Sequence, residues 1–264
     1  MNQKFRLGLV LLVLLSGCKS ADQKTDTVIK VASHTEPMTT LVNLAKEEVK
    51  ASGYTIELVS VSDNVQANAI LNQKEVDANF FQHQPYMKQY NAANKGTLKA
   101  VQPIYDALVG FYSKTYSSME QLPDHATIAI PNDKANEGRA LAILNANGLI
   151  TLKADAGYQG TIDDIIDNPH GYQFMSVDPL NLVYAYDEAD LVFNYPTYMK
   201  PIGLTPKQDA LLLEKSDGYF AISVVAREDN ADSEKIKALV KAMTSDAVKN
   251  YITEKLGESV VSMI

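Results

Sequence analysis

Arginine is the rarest charged residue of this chain and the first candidate for specific chemistry. The 264 residues include 21 lysines but only three arginines. Arg139 closes the segment PNDKANEGR (131–139), which follows a strand-like run and begins a predicted helix. A helix N-terminus has unpaired N–H groups, and a guanidinium adds five donors in one plane, so the segment predicts a clamp for a carboxylate. A structural Arg–Asp pair or a solvated helix residue fits the same spacing. Arg227, which precedes two acidic residues, indicates surface pairing.

Aromatic and polar side chains gather in a second segment, DANFFQHQPY (77–86). Open α/β sheets bind ligands where strands end and helices begin, and this segment has that character. Phe81, His83 and Tyr86 would then enclose an apolar side chain, with one hydrogen bond from the imidazole. A core phenylalanine pair and a helix-capping histidine explain the same residues. The spacing leaves both interpretations open.

A third candidate is Asn194, at a predicted strand end in the stretch FNYP (193–196). A carboxamide donates to a carboxylate and accepts from an ammonium group, so it fits the head of a zwitterion. Ordinary turn chemistry accounts for asparagine and proline here equally well.

The elements that must position these residues follow an alternating pattern from Val28 onward. Predicted strands cover residues 27–32, 55–60, 78–81, 127–131, 173–177 and 189–193, and helical patterns lie between them, including 65–75 and 139–146. Such alternation is typical of parallel sheets covered by helices. We expect Gly53 to end the first helix and Asp232 or Ser233 to cap the last long one.

Two apolar, aromatic-rich stretches, 101–112 and 219–227, are longer than the usual strand of an α/β domain. They are either central strands of one sheet or, as we favour, paired hinge strands that cross between two lobes. The second interpretation predicts a first lobe of residues 28–106 and 221–264 and a second lobe of residues 107–220. Closure of the lobes on a ligand would bend the two strands.

The N-terminus has the pattern of a lipoprotein signal peptide. Lys4 and Arg6 precede an apolar run, 7–15, which is too short to span a bilayer and ends in Leu-Ser-Gly-Cys. This ending is similar to a lipobox, in which Cys18 receives a diacylglycerol and becomes the first mature residue. A plain secretory signal with an incidental cysteine is the alternative. We expect a signal peptide over 1–17 and a polar tether over 18–27.

Composition excludes several classes of function. A net charge of −8 gives no electrostatic footprint for nucleic acid. The single cysteine belongs to the lipid, and the chain has neither a Gly-x-Ser-x-Gly elbow nor a glycine-rich phosphate loop, which argues against an enzyme. Four histidines are scattered without the spacing of metal ligands, so no metal and no cofactor is predicted.

The motifs together resemble the NlpA-type methionine-binding lipoproteins of ABC importers. The resemblance is carried by DANFFQHQPY (77–86), IPNDKANEGRAL (130–141) and IGLTP (202–206), with further similarity at SDNVQANA (62–69) and VVARED (224–229). It covers nearly the whole chain after the tether. It implies a type II periplasmic-binding-protein fold, in which two α/β lobes joined by two hinge strands hold the ligand in the cleft between them.

The resemblance also implies roles for single residues. Phe81, His83 and Tyr86 would surround the ligand side chain, while Asn194 would bind its amino-acid end and Arg139 its carboxylate. Asn136, from the same motif as the arginine, and Asn64 complete the predicted ligand-binding set.

The chain departs from the family pattern at three places. Asn64 stands where relatives usually have tyrosine, and the family asparagine after the tyrosine of the returning hinge strand is replaced by Phe220-Ala221-Ile222. The loop after Asn194 is also longer. The first change argues for a wider or more polar end of the pocket, which would admit a methionine derivative or a dipeptide.

These observations predict a non-enzymatic, lipid-anchored receptor on the extracytoplasmic face of a membrane. It would bind methionine or a related amino acid, derivative or short peptide and deliver it to the permease and ATPase of an ABC importer. A receptor fold with another small ligand, or with a scaffold or adhesin role, is the alternative.

Overall fold

Two separate β-sheets organise the chain. The computed structural model describes residues 26–264, so the predicted signal peptide, Cys18 and most of the predicted tether lie outside the described residues. Within the described part, no helix is long and apolar enough to cross a membrane.

The first sheet has six strands and defines lobe 1. Its first segment contains β1 (Val28–Ser33), α1 (Met38–Glu48), β2 (Thr55–Ser60), α2 (Asn64–Asn72), β3 (Ala78–His83), α3 (Gln84–Asn94) and β4 (Leu98–Ala107). The strand order is β13-β4-β12-β3-β1-β2, where β12 and β13 come from the C-terminal segment. β1 is parallel to both β2 and β3, whereas β12 is antiparallel to its neighbours.

The second sheet has five strands and defines lobe 2. Its elements are β5 (Gly110–Tyr112), β6 (Thr127–Pro131), α4 (Lys134–Ala146), β7 (Thr151–Leu152), β8 (Ile165–Asp167), β9 (Gln173–Val177), α5 (Leu182–Ala185), β10 (Leu191–Asn194), α6 (Pro196–Met199), α7 (Pro206–Asp209) and β11 (Leu212–Leu213). The order is β11-β5-β10-β6-β9, with β7 and β8 forming a small separate ribbon.

The chain returns to lobe 1 through β12 (Ile222–Arg227) and continues with α8 (Glu234–Met243), α9 (Asp246–Tyr251) and β13 (Val260–Ser262). The predicted strand over 101–112 is therefore wrong in one respect, because it is two strands. β4 pairs in the first sheet and β5 in the second, and Leu108 and Val109 connect them. The returning strand begins only at Ile222, after a turn that includes Tyr219.

Each lobe has its own apolar core. The larger cluster of lobe 1 includes Ile29, Leu41 and Leu239, all fully buried, and that of lobe 2 includes Ile128, Leu144 and Phe193, also fully buried. The predicted two-lobe architecture is observed, with a separate sheet in each lobe, whereas the exact boundary residues stay a prediction. The parallel pattern is only partly right, because β12 pairs antiparallel with β3 and β4 in lobe 1, and β5 pairs antiparallel with β10 and β11 in lobe 2.

Helix ends follow the expected local chemistry. The helix α1 passes into a short 3₁₀ turn and ends at Gly53, whose φ of +79° is the left-handed conformation that glycine adopts without strain. Of the two candidate caps for α8, Ser233 is the residue used, and its side chain accepts from the N–H of Ile236. Asp133 caps α4 in the same way, accepting from Asn136.

Candidate functional site

A small cavity lies between the two lobes. Lobe 1 contributes the carboxyl end of β3 and the start of α3, and lobe 2 contributes the start of α4 and the loop after β10. Its volume is about 70 Å³. Five predicted ligand-binding residues line it: Asn64, Phe81, His83, Tyr86 and Asn136. It is also lined by residues outside the predicted set, among them His34, Met38, Tyr105, Tyr195, Thr197 and Tyr198.

His83 is the central polar group of the cavity and bridges the lobes. Its Nδ1 accepts from the backbone N–H of Tyr86 at 3.2 Å, where it caps α3. The proton therefore lies on Nε2, which donates to Oδ1 of Asn136 in lobe 2 at 2.9 Å. Burial, with repulsion from the nearby Arg139, lowers the pKa of His83 to about 3. The imidazole is a neutral donor that caps α3, as one of the two alternatives predicted, and it also lines the cavity, while its contact with a ligand stays a prediction.

The apolar wall comes from aromatic rings of lobe 1. Phe81 packs edge-on against Tyr86 with ring centroids 6.1 Å apart, and the ring of His34 lies 5.6 Å from Phe81 on the other side. Met38 adds a thioether, whose sulfur accepts from the hydroxyl of Tyr105 at 2.8 Å. Such a wall suits a flexible, polarisable side chain.

The far end of this wall is polar. Asn64, the first residue of α2, has its Oδ1 2.7 Å from Nε2 of His34. Asn64 was predictable from the sequence pattern, but its partner His34 was not among the predicted residues. A signal for His34 was available: it directly follows β1, at the same sheet edge that presents the end of β3.

Asn136 joins the two lobes next to His83. Its Oδ1 accepts from His83 and also from the hydroxyl of Tyr195, so both lone pairs of that oxygen are used. Its Nδ2 donates to both carboxylate oxygens of Asp133, at 3.0 and 2.9 Å. A second bridge lies nearby, since the backbone N–H of Ala135 donates across the cleft to Gln89 at 3.0 Å.

Arg139 does not line the cavity. Its side chain is fully buried, and Nε donates to Glu214 at 2.9 Å while Nη2 donates to the same carboxylate and to the carbonyl of Ala107. Asp106 stands 3.5 Å from Nη2 as a second buried carboxylate. Burial opposes the charge of Arg139, but Glu214 more than offsets this, so the pKa of Arg139 is raised and the guanidinium stays protonated.

Aromatic rings cover this ion pair. The guanidinium carbon of Arg139 lies 4.2 Å from the ring centroid of Phe220, which in turn packs edge-on against His83 at 5.0 Å and Tyr158 at 4.9 Å. Tyr158 reaches this position because the backbone there crosses α4 closely. A Cβ on Gly138 would lie 2.3 Å from the carbonyl oxygen of Tyr158, so only glycine fits at this crossing.

Two buried donors near this end of the cavity have no partner among the described residues. One is Nη1 of Arg139, and the other is Nδ2 of Asn194, whose side chain is also fully buried. The oxygen of Asn194 does have a partner, because it accepts from the backbone N–H of Tyr195 at 2.9 Å. A buried polar group without a partner costs about 1–3 kcal/mol, so each of these donors gains from an acceptor such as a ligand atom or a water molecule.

The arrangement can bind a small solute with an apolar side chain against its aromatic walls, and Nη1 of Arg139 and Nδ2 of Asn194 are buried donors without a partner outside the cavity lining. Among residues 26–264, no three His, Cys, Asp or Glu side chains come together to hold a metal ion.

Comparison with known proteins agrees with this geometry. The model of the NlpA lipoprotein family matches residues 29–264. The methionine-binding lipoprotein MetQ of Bacillus subtilis is 35% identical over 275 residues, covering 98% of each chain.

Solved structures of proteins with similar sequences have a similar fold. A lipoprotein of the YaeC family from Enterococcus faecalis is 46% identical with a TM-score of 0.82, over 90% of this chain and 100% of the other. The periplasmic substrate-binding protein of an ABC transporter from Coxiella burnetii is 31% identical with a TM-score of 0.84, over 89% and 99% of the two chains.

Proposed function

This chain belongs to the NlpA lipoprotein family, and from that membership we propose that it is the lipid-anchored substrate-binding protein of an ABC importer, with methionine or a close relative of methionine as its ligand. The relatives named above are a methionine-binding lipoprotein and an ABC transporter substrate-binding protein, both similar over nearly the full chain. Substrate-binding proteins of this kind have no catalytic role, and none is proposed here.

The observation that carries the proposal is the cavity enclosed between the lobes. Phe81 and Tyr86 give it an apolar wall, while His83 and Asn136 join the lobes at its polar end. Binding pockets of small solutes have this composition, with mostly apolar walls and a few well-placed polar groups. A methionine side chain fits such a wall because its sulfur packs well against aromatic edges.

Arg139 and Asn194 are proposed to hold the ligand's carboxylate. The support is that each has a buried donor without a partner, Nη1 in one case and Nδ2 in the other. Asn64 is proposed to face the far end of the ligand side chain, together with His34. That polar end is the reason to include methionine derivatives and short peptides among the candidate ligands.

Capture is proposed to occur by closure of the lobes about the two crossings, near residues 106–107 and 220–221. The hydrogen bond from His83 to Asn136 and that from Ala135 to Gln89 both join lobe 1 to lobe 2, so both would form on closure. The permease would then recognise the closed shape, which couples ligand binding to transport through a shift in population.

A thermal-shift panel of amino acids, methionine derivatives and dipeptides tests the ligand. A ligand at about one hundred times its dissociation constant adds roughly 2.7 kcal/mol of stability, which is an easily measured shift. We expect L- or D-methionine, or a derivative, to raise the melting temperature. Tyr86→Ala should weaken the response, whereas the matched variant Tyr184→Ala, at a side chain that is 70% exposed in lobe 2, should not. No response to methionine or any relative would refute the proposed ligand and favour a scaffold role.

The anchor is tested separately. Cys18→Ser should leave the protein unprocessed or released in soluble form, because the lipid is attached through that thiol. Fractionation and intact-mass measurement of the two forms decide this. Membrane association with the unchanged parent mass would contradict the lipobox interpretation.

A further inference from the structure

Tyr195 separates the cavity from the two unpaired donors. Its side chain lines the cavity, whereas Arg139 and Asn194 do not. On the other side, the guanidinium carbon of Arg139 lies 5.7 Å from the centroid of the Tyr195 ring. Its backbone N–H donates to the oxygen of Asn194 at 2.9 Å, and Asn194, the preceding residue, has a fully buried side chain outside the cavity lining.

The hydroxyl of Tyr195 holds the ring in this position. It donates to Oδ1 of Asn136, an oxygen that also accepts from His83. The ring packs edge-on against Phe193 and Tyr198, with centroids 5.6 and 6.4 Å apart, and faces Arg139. Among the described residues the bond to Asn136 is the one hydrogen bond that the hydroxyl donates, so a side chain that moves away loses that bond together with the aromatic packing.

One nitrogen of Arg139, Nη1, has no acceptor among the described residues and could donate to an anion. Nε and Nη2 face Glu214 and the carbonyl of Ala107, so only Nη1 has no acceptor. Glu214 and Asp106 lie beside the guanidinium and would repel a further carboxylate, which could enter only if new hydrogen bonds offset that repulsion. Nη1 of Arg139 and Nδ2 of Asn194 offer those bonds.

We propose that Tyr195 is the specificity-determining residue of the proposed site: a ligand carboxylate displaces its hydroxyl from Asn136 and takes the donors of Arg139 and Asn194, whereas a neutral head group cannot. The inference deepens the proposed function and rests on it for the identity of the ligand. A neutral amide forms weaker hydrogen bonds with these donors, because charged acceptors form hydrogen bonds about twice as strong as neutral ones. Its binding therefore does not offset the loss of the hydrogen bond from Tyr195 to Asn136.

Titration calorimetry with methionine and methioninamide tests this selection. Tyr195→Phe removes the hydroxyl that holds the ring, so methionine should bind about two- to tenfold more tightly, the equivalent of one ordinary hydrogen bond. The wild-type protein should bind methioninamide much more weakly than methionine. The matched control is Tyr186→Phe, which removes a hydroxyl that donates to the carbonyl of Ser113 far from the cavity, and it should bind methionine as the wild type does. An unchanged or weaker affinity of Tyr195→Phe would overturn the proposal.

Formate tests the shielding without any assumption about the natural ligand. In Tyr195→Ala the two donors should be open to this smallest carboxylate, so formate should raise the melting temperature of the variant and formamide should not. Wild-type protein and Tyr186→Ala should not respond. If no amino acid binds but formate stabilises Tyr195→Ala, the proposed ligand fails while the shielding by Tyr195 stands. If formate leaves Tyr195→Ala unchanged, the shielding fails whatever the ligand is.

Discussion

The two arginines of the described chain are both buried, yet their surroundings differ. Arg227, in lobe 1, donates through Nη1 to the carbonyls of Leu71 and Val76 at 3.1 and 2.8 Å, and through Nε to Asp229 at 2.9 Å. Its one carboxylate partner is half exposed, at 48% of the side chain. The expectation of surface pairing is thus right about an acidic neighbour and wrong about burial, because the side chain also ties the end of α2 to the sheet.

Arg139 lies where the two lobes meet, and its hydrogen-bond donors are not all paired. It faces two buried carboxylates, Glu214 and Asp106, and one of its nitrogens has no acceptor. A side chain whose role is only structural tends to satisfy its donors, as Arg227 does through the backbone. The difference teaches that burial alone does not distinguish a structural arginine from a ligand-binding one, whereas the pairing of each donor does.

Removing the charge of Arg139 should have the largest effect on the fold. Arg139→Met leaves Glu214 and Asp106 buried without a cation, so we expect a loss of about 3–5 kcal/mol in the free energy of unfolding by urea. The double variant Arg139→Met, Glu214→Leu should recover part of this loss, because it replaces the pair by apolar volume. A loss below about 1 kcal/mol would mean that the ion pair is more exposed to water than the structure has it.

Burial of a neutral His83 between the lobes should make the free energy of unfolding depend on pH. Its folded pKa of about 3 lies below its ordinary value of 6.5, so the unfolded chain binds the extra proton between these values. This contribution to stability is complete above pH 6.5 and is lost as the pH falls toward 3. Between pH 7 and pH 5 it should lower the wild-type free energy of unfolding by about 2 kcal/mol. His83→Gln should lack this part of the pH dependence, and equal slopes for the two proteins would contradict a buried neutral imidazole.

Arg227→Met should cost less than Arg139→Met and leave binding intact. The variant removes hydrogen bonds to two backbone carbonyls, and its carboxylate partner, Asp229, remains solvated, so about 1–2 kcal/mol is expected. Urea unfolding and ligand titration on the same sample check both parts. A loss of ligand affinity in this variant would remove the distinction drawn between the two arginines.

Gln89→Ala should have the smallest effect, and only on closure. The side chain accepts from the N–H of Ala135 across the cleft. This N–H lies in the first turn of α4 and therefore has no acceptor within the helix. Its loss should weaken the proposed ligand by about two- to fivefold, chiefly through faster dissociation, at nearly unchanged stability. The exposed neighbour Lys88→Ala is the control. Equal dissociation rates in the two variants would show that this bridge does not contribute to the closed form.

Most of the fold was predictable from local patterns. The strands 55–60, 127–131 and 173–177 were predicted with the bounds they have, because short runs that contain β-branched residues and lie between turn residues specify strands. The long apolar stretch 101–112 was harder. Both of its halves have strand-like composition, and the change of sheet after Ala107 depends on pairing with strands far along the chain, which a local pattern does not contain.

For the candidate site, the sequence placed residues at the correct sheet edge but did not decide their contacts. Phe81, His83 and Tyr86 were predictable because strand ends and helix starts define that edge. His34 was missed although it directly follows β1 at the same edge, whereas Tyr195 becomes a cavity residue through Asn136, a partner from another segment.

The alternation of elements and the helix caps depend on neighbours within a few residues, so local patterns were enough to predict them, and the rarity of arginine is visible in the composition. The pairing of the buried donors has no such local signal. Arg139 meets Glu214 from 75 residues away, and Asn136 meets Tyr195 from 59 residues away. Hydrogen bonds between buried side chains require contact and alignment within a few tenths of an ångström, and that precision arises only when the two lobes and their crossings have packed together.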